Sequence, residues 1–194
     1  MTKITSLCVY CGTSSRSAAS HRAAAARLGT LLAARGIGLV YGGGCIGLMG
    51  VLADAALAGG GRVVGIIPYR LKEHEIGHDG LTELVVVDSM HERKRRMFEL
   101  ADAFAILPGG LGTLDEAVEI IAWKQLGLHD KPIVLVDIDG YWAPFRTLIE
   151  AVVAGDYARP EIADLFTTVE SVEAMFQALA AAPEPALSPE PERL

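Results

Sequence analysis

The sequence predicts a doubly wound α/β fold in a single domain, with a mainly parallel sheet, and three observations support this fold class. Short apolar segments alternate with helical patterns along most of the 194 residues. Most of the apolar segments are continuous runs of Val, Ile and Leu, which are typical of strands covered on both faces. Clusters of glycine and small polar residues follow the strands, as expected for the connections of a repeated β-α unit.

The strands are placed on the apolar runs and the helices on the segments between them. The predicted strands cover residues 4–11, 37–41, 62–67, 84–88, 103–107 and 133–137. The predicted helices cover residues 20–34, 48–58, 91–101, 114–125, 144–154 and 171–182, the last with Ser171 as its N-cap. This alternation predicts a Rossmann-like domain over residues 1–182. Residues 183–194 alternate Pro and Glu with little apolar content, which predicts a disordered tail.

Composition argues against several classes of protein. A formal net charge of −7 disfavours nucleic acid as a partner, because such binding usually needs an excess of Lys and Arg. No segment is apolar over a membrane-spanning length, and the first residues lack a signal-peptide pattern. Cys8, Cys11 and Cys45 do not make a disulfide framework, and the histidines lack partners at metal-ligand spacing. We therefore expect a cytoplasmic protein with buried thiols, no metal and no membrane partner.

Four loops that follow predicted strands are rich in glycine, serine or threonine. They lie at residues 12–15, 42–44, 89–90 and 108–110. In an open parallel sheet the carboxyl ends of the strands form the crevice in which ligands bind. The sequence therefore predicts that these four loops converge on one ligand site.

The turn at residues 108–112 carries the most specific chemistry. It joins a strand to a helix, and backbone N–H groups at a helix start favour an anion such as phosphate. Glu116 is expected in the first turn of that helix, so that a carboxylate lies beside the anion site. Acids are common in first turns for electrostatic reasons alone. A structural role and a catalytic role both fit Glu116 at this point.

The glycine-rich segment at residues 42–50 permits two interpretations. It lacks the lysine of a P-loop, and no acidic residue follows about twenty positions later as in dinucleotide-binding folds. Tight packing of a helix on a strand explains the glycines, and so does close approach of the backbone to a small ligand.

A basic segment at residues 90–96 opens the helix that follows the strand ending at Asp88. Arg95 and Arg96 are expected on a solvated face. Arg93 is expected near the helix start, where the helix dipole disfavours a cation, so it needs a compensating partner. Glu116 and an anionic substrate are both suitable partners.

Two of these motifs together resemble the signature of the LOG ("Lonely guy") family of cytokinin riboside 5′-monophosphate phosphoribohydrolases, many of which were once labelled lysine decarboxylases. The motifs are Pro108-Gly109-Gly110-x-Gly112-Thr113-x-x-Glu116 and Met90-x-x-Arg93-Lys94. Segments 8–12, 42–50 and 122–132 also match, so the resemblance covers roughly residues 6–169. It implies a commonly homodimeric enzyme without a cofactor. Its implied reaction is cleavage of N6-modified AMP, or AMP itself, to the free base and ribose 5-phosphate.

The resemblance also implies roles for individual residues. Arg93 and Glu116 are the expected catalytic pair. Substrate contacts are expected from Ser14, Gly43, Gly44, Glu75, Lys94, Gly109, Gly110, Leu111, Gly112 and Thr113. Around Glu75 the match is incomplete, because Gly77-His78-Asp79 stands where the family usually has Thr-Gly-Glu.

The implied reaction agrees with the chemistry of these residues. N-glycoside cleavage passes through an oxocarbenium-like ribose, which a carboxylate stabilises while it orients or deprotonates water. Arg93 either orients Glu116 or stabilises negative charge on the departing base, and the sequence does not separate these roles. The wall of the base pocket is assigned to Met49, Trp123 or a second subunit.

Two other functions remain open at this stage. A non-catalytic nucleotide-binding or carrier protein would use the glycine loops without needing both Arg93 and Glu116. A lysine decarboxylase would need pyridoxal phosphate bound through a lysine. Lys94 is the only lysine placed in the crevice, and nothing around it indicates a cofactor site.

Overall fold

In the computed structural model, which describes residues 4–75 and 77–183, the strands form one parallel sheet. They are β1 (Ser6–Tyr10), β2 (Gly38–Tyr41), β3 (Val63–Pro68), β4 (Glu83–Val87), β5 (Ala103–Ile106), β6 (Ile133–Val136) and β7 (Thr167–Val169). The strand order is β4-β3-β2-β1-β5-β6-β7. The chain therefore runs outward from β1 in one direction and from β5 in the other, which confirms the predicted doubly wound α/β fold.

Helices connect the strands and cover the sheet. They are α1 (Ala19–Arg35), α2 (Gly47–Ala58), α3 (Tyr69–Glu75), α4 (Met90–Glu99), α5 (Leu111–Gln125), α6 (Ala143–Ala154) and α7 (Val172–Ala181), with 3-10 helices at Ile138–Gly140 and Pro160–Leu165. Ser171 caps α7 as predicted, because its hydroxyl accepts a hydrogen bond from the Ala174 N–H at 3.2 Å. Among the described residues, no helix combines the length and the apolarity needed to cross a membrane.

The sequence prediction was incomplete in three places. Strand β7 was missed because it has three residues, two of them threonine, at the edge of the sheet. Helix α3 was missed because it follows Pro68 directly and its seven residues show no apolar period. Helix α5 begins at Leu111 instead of Leu114, because Gly110 is already its extended N-cap residue. Glu116 is therefore the sixth residue of α5, in its second turn. Residues 184–194 of the predicted tail lie outside the described residues.

Side chains of the buried strands alternate between two faces and build two cores. Leu7 and Val9 of β1 pack against α1, α2 and α7. We call this side of the sheet the α1/α2 face. Cys8 and Tyr10 point to the opposite side and pack against α4, α5 and α6. We call that side of the sheet the α4/α5 face. In open parallel sheets of this kind, ligands bind in a crevice at the carboxyl ends of the strands.

Candidate active site

The loops that follow β1 and β5 meet at the point where the strand order reverses. The Gly12 N–H donates to the Pro108 carbonyl at 3.0 Å, and the Gly12 carbonyl accepts from the Leu48 N–H at 2.9 Å. A Cβ at Gly12 would lie 3.0 Å from the Gly109 Cα, so a side chain there would separate the two loops. The loop after β1 therefore contacts both the loop after β5 and the start of α2 at this edge.

Arg93 joins the loop after β2 to α4, the helix that follows the predicted loop at residues 89–90. It is the fourth residue of α4 and is only 5 % exposed. Its Nε donates to the Ile66 carbonyl at 3.1 Å and its Nη2 to the Gly42 carbonyl at 3.2 Å. Its Nη1 lies 3.4 Å from Glu116 Oε1. The guanidinium thus has its compensating partner, and it holds β3, the loop after β2, and α5 together.

Glu116 is a buried carboxylate with an unusual pKa. Glu116 is 4 % exposed, and burial raises the pKa of its carboxyl group from 4.5 to about 7. The adjacent Arg93 opposes this shift, as does Lys94, while Asp115 and Glu119 add to it. Burial therefore outweighs the ion pair. A carboxyl group with a pKa near neutrality is suited to accept a proton and to return it.

The glycines at residues 42–50 make room for their neighbours. A Cβ at Gly42 would lie 1.9 Å from Arg93 Nη2, so a larger residue would displace the guanidinium. At Gly47, which has a φ of +62°, a Cβ would lie 2.3 Å from the Thr13 carbonyl carbon, and at Gly50 it would lie 2.0 Å from the Cys45 oxygen. Of the two interpretations left open by the sequence, close packing accounts for these three glycines.

Gly43 and Gly44 contact the segment that follows α3. The Gly43 carbonyl accepts from the His78 N–H at 3.2 Å, and Gly44 forms an antiparallel bridge with Gly77. Gly43 has a φ of +78°, in the left-handed region that favours glycine. The contact of Gly43 and Gly44 with substrate stays a prediction, and the side chain of Glu75 lies outside the described residues.

Lys94 ties α4 to α5. Its Nζ lies 3.1 Å from Asp115 Oδ2 and 2.9 Å from Glu119 Oε1. Burial lowers the pKa of Lys94, but hydrogen bonds to these two carboxylates more than offset burial, so the pKa is raised overall. A lysine that binds pyridoxal phosphate must reach a neutral amine, so these surroundings do not fit that cofactor. The contact of Lys94 with substrate stays a prediction.

The start of α5 is open towards solvent. The N-cap residue Gly110 has no side chain to cap the helix, and a Cβ at Gly110 or Gly112 would meet no atom within 4 Å. Leu111 is 85 % exposed, whereas Thr113 is buried and fills the space beside Gly109. The first backbone N–H groups of a fifteen-residue helix therefore face an open space, which is the arrangement that binds anions.

The other predicted residues, Ser14, Met49 and Trp123, differ in burial and in the neighbours that they contact. Ser14 is exposed in the loop after β1, and its Oγ accepts from the Arg16 N–H at 3.2 Å. Met49 is buried beside Gly42, whereas Trp123 packs edge-on against Phe98 with ring centroids 5.4 Å apart. Within residues 4–75 and 77–183, no three His, Cys, Asp or Glu side chains are grouped as metal ligands.

Sequence reasoning missed several parts of this site. Ile66 accepts a hydrogen bond from Arg93 through its backbone carbonyl, so the residue type at position 66 does not indicate this contact. Glu119 lies one helical turn after Asp115, so the i,i+4 spacing of two acids was a usable signal for the Lys94 pairing. Tyr141, whose hydroxyl donates to the Gly109 carbonyl, carries no motif that marks it.

Comparison with known proteins agrees with the fold and the motifs. A protein-family model described as "Possible lysine decarboxylase" matches residues 49–179. A probable cytokinin riboside 5′-monophosphate phosphoribohydrolase of Oryza sativa subsp. japonica is 44 % identical over 173 residues, which is 89 % of this chain and 76 % of that protein. A cytokinin riboside 5′-monophosphate phosphoribohydrolase of Arabidopsis thaliana is 41 % identical over 177 residues, covering 91 % and 83 % of the two chains.

A solved structure also resembles this chain. The molybdenum cofactor binding protein from Rippkaea orientalis superposes with a TM-score of 0.70 at 20 % identity, over 93 % of this chain and 98 % of that one. At this identity the likeness shows a shared fold alone.

Proposed function

The chain belongs to the LOG family of cytokinin riboside 5′-monophosphate phosphoribohydrolases, and from this premise we propose a specific reaction and site. The enzyme is an N-glycosidase that hydrolyses N6-modified AMP, and AMP itself, to the free base and ribose 5-phosphate. The observation that carries the proposal is the buried Arg93–Glu116 pair next to the open start of α5.

The open start of α5 supports a binding site for the 5′-phosphate. Backbone N–H groups of residues 110–113 and the helix dipole favour a dianion there. Because the phosphate does not react, its binding energy positions the ribose for attack at C1′. Glu116 lies in the second turn of the same helix, which supports its placement near the ribose.

The carboxyl group of Glu116 supplies the proton transfers. As the bond from C1′ to the base nitrogen breaks, its electrons leave with the base and positive charge develops on the ribose. Ionised Glu116 stabilises that charge and accepts a proton from the attacking water, whose hydroxyl joins C1′. The proton then returns to the departing base. The pKa of about 7 supports this double role.

The contacts of Arg93 support one of its two possible roles. Nε and Nη2 are engaged by backbone carbonyls, and Nη1 faces Glu116. A guanidinium held on these three sides is suited to orient Glu116 rather than to approach the base. We therefore assign Arg93 the orienting role.

A carrier function is the weaker alternative. The similar fold of a molybdenum cofactor binding protein raises it, but at 20 % identity that likeness carries no function. A carrier does not need a buried carboxylate paired with a guanidinium, since burying both charges costs stability. The relatives above 40 % identity support catalysis instead.

We also propose a homodimer in the cytoplasm. Apolar residues are exposed along α5 and just beyond it, at Leu111, Val118, Leu126 and Leu128. A run of this kind supports an interface with a second copy, which light scattering will detect as twice the mass of 20.6 kDa.

The proposed location in the cytoplasm is supported by the cysteines. Cys8 and Cys11 are buried free thiols, which supports a reducing compartment.

One assay tests the proposed reaction. Purified enzyme is incubated with N6-isopentenyl-AMP, AMP and N6-isopentenyladenosine, and the free base is quantified by chromatography. We expect release from both monophosphates and at least about 100-fold lower kcat/KM for the nucleoside, because it lacks the phosphate contact. Tight binding of the monophosphates without release of base would establish the carrier alternative.

A further inference from the structure

Tyr141 lies at the phosphate end of the site without belonging to any of the motifs. Its hydroxyl donates a hydrogen bond to the Gly109 carbonyl. Its ring packs edge-on against His21 of α1, with centroids 5.4 Å apart, and against Trp142, with centroids 5.1 Å apart. Two aromatic neighbours therefore hold the ring while its hydroxyl reaches the glycine turn.

The chain between β6 and α6 is shaped to present this tyrosine. Asp139 and Gly140 both adopt left-handed backbone conformations, with φ of 55° and 72°. Trp142 is 1 % exposed, and its backbone N–H donates to Asp137 Oδ1 at 2.7 Å. The Tyr141 N–H donates to the Ile138 carbonyl at 3.2 Å. A left-handed aspartate is unfavourable, so this turn accepts strain to keep its shape.

The hydrogen bond controls a peptide group that is otherwise easy to rotate. In a trans peptide the carbonyl and the following N–H point in opposite directions. The peptide between Gly109 and Gly110 is flanked by two residues without a Cβ, so steric barriers to its rotation are low. When Tyr141 holds the Gly109 oxygen, the Gly110 N–H is fixed on the opposite side of that peptide.

We propose that Tyr141 is a positioning residue for the phosphate-binding turn. It acts through the Gly109–Gly110 peptide and keeps the Gly110 N–H oriented for the 5′-phosphate of the substrate. This inference rests on the proposed function, because it assigns the start of α5 to that phosphate. It concerns ground-state binding of the phosphate and not the chemistry at Glu116.

The test uses Tyr141→Phe, which removes the hydroxyl and keeps the ring between His21 and Trp142. We expect KM for the nucleoside monophosphate to rise about 3- to 10-fold, the effect of one neutral hydrogen bond, with kcat changed less than twofold. KM for the nucleoside without phosphate stays at the wild-type value. Tyr157→Phe is the matched control, since Tyr157 is 88 % exposed, and it leaves both constants unchanged.

Calorimetry with ribose 5-phosphate separates this inference from the proposed reaction, because it needs no turnover. Wild-type protein that binds ribose 5-phosphate about 3- to 10-fold more tightly than Tyr141→Phe supports the inference even if no base is released in the assay. Equal affinity of the two proteins overturns it, as does wild-type protein that does not bind ribose 5-phosphate. In the kinetic test, an equal rise in KM for the monophosphate and for the nucleoside also overturns it, because a general structural role would produce that result.

Discussion

The two faces of the sheet differ in what their helices bury. On the α1/α2 face, the buried residues of α1, α2 and α7 are all apolar or glycine, for example Leu28, Leu52 and Met175. On the α4/α5 face, α4 buries Arg93 and Lys94, and α5 buries Thr113 and Glu116. One face is a close-packed apolar core, and the other includes ionisable groups that are withheld from water.

The buried ionisable groups of the α4/α5 face lower the stability of the fold and provide the groups proposed for catalysis. Removing a charge from water costs several kcal/mol, and an ion pair recovers that cost only with good geometry and further hydrogen bonds. Arg93 has these bonds, at 3.1 and 3.2 Å, whereas the raised pKa of Glu116 shows that its charged form remains disfavoured. The α4/α5 face therefore carries an energetic cost that the helices of the α1/α2 face, which bury only apolar residues and glycine, do not.

The largest effect is expected from Glu116→Gln, which keeps the shape of the side chain and removes its charge and proton transfer. We expect kcat on N6-isopentenyl-AMP to fall at least about 100-fold, since a group that stabilises transition-state charge contributes on that scale. Release of free base measures it. Glu150→Gln on the exposed surface of α6 is the control and retains full activity. If Glu116→Gln retains more than about a tenth of the wild-type kcat, Glu116 has no catalytic role.

The same substitution is expected to change how stability depends on pH. The pKa of Glu116 is about 7 in the folded protein and 4.5 otherwise, so the folded state binds the proton more tightly. Its stabilising contribution is therefore complete below pH 4.5 and is lost as the pH rises through 7. At about 1.4 kcal/mol per pKa unit the loss is about 3 kcal/mol.

Glu116→Gln has no such proton to lose. Urea unfolding at pH 4.5, 6 and 8 should therefore show the variant gaining about 3 kcal/mol in free energy of unfolding relative to wild type across this range. A difference between the two proteins that is constant with pH would mean that Glu116 ionises normally and that burial does not disfavour its charge.

How much of this could be read from the sequence differs between the two faces. Continuous apolar runs identified β1, β2, β3, β5 and β6 because strands covered on both faces need them. A cation near a helix start requires a partner, so the sequence offered Glu116 and an anionic substrate as partners of Arg93, and the structure pairs it with Glu116. The start of α5 was placed three residues late, since Gly110 and Gly112 look like loop residues in sequence although the helix begins between them.

The contacts that the sequence could not supply involve the backbone or distant segments. The Ile66 carbonyl holds Arg93, and any residue at position 66 would offer the same oxygen. Gly42 was recognised as part of a glycine cluster, but its need to be glycine depends on the guanidinium that reaches it from fifty-one positions away. Tyr141 reaches Gly109 across thirty-two positions in the same way. Such requirements become visible only when the fold brings the segments together.

The smallest effect is expected from Gly29→Ala on the α1/α2 face, where α1 and α2 cross closely. A Cβ at Gly29 would lie 2.4 Å from the Leu52 carbonyl oxygen and 2.8 Å from the Ala56 nitrogen. Alanine gains about 1 kcal/mol of helix propensity over glycine, but overlap with backbone atoms that cannot rotate away costs about 1–3 kcal/mol. We expect the overlap to prevail and the free energy of unfolding to fall by up to about 2 kcal/mol.

Turnover by Gly29→Ala should match wild type, because the substitution leaves Arg93 and Glu116 untouched. Thr30→Ala, at the adjacent exposed position, gains helix propensity without an overlap and should be stabilised by about 0.5 kcal/mol, which isolates the effect of packing. Urea unfolding and the base-release assay measure the two quantities. A Gly29→Ala protein that unfolds like wild type but loses turnover would show that the apolar face takes part in the chemistry, and the division of roles between the two faces would not hold.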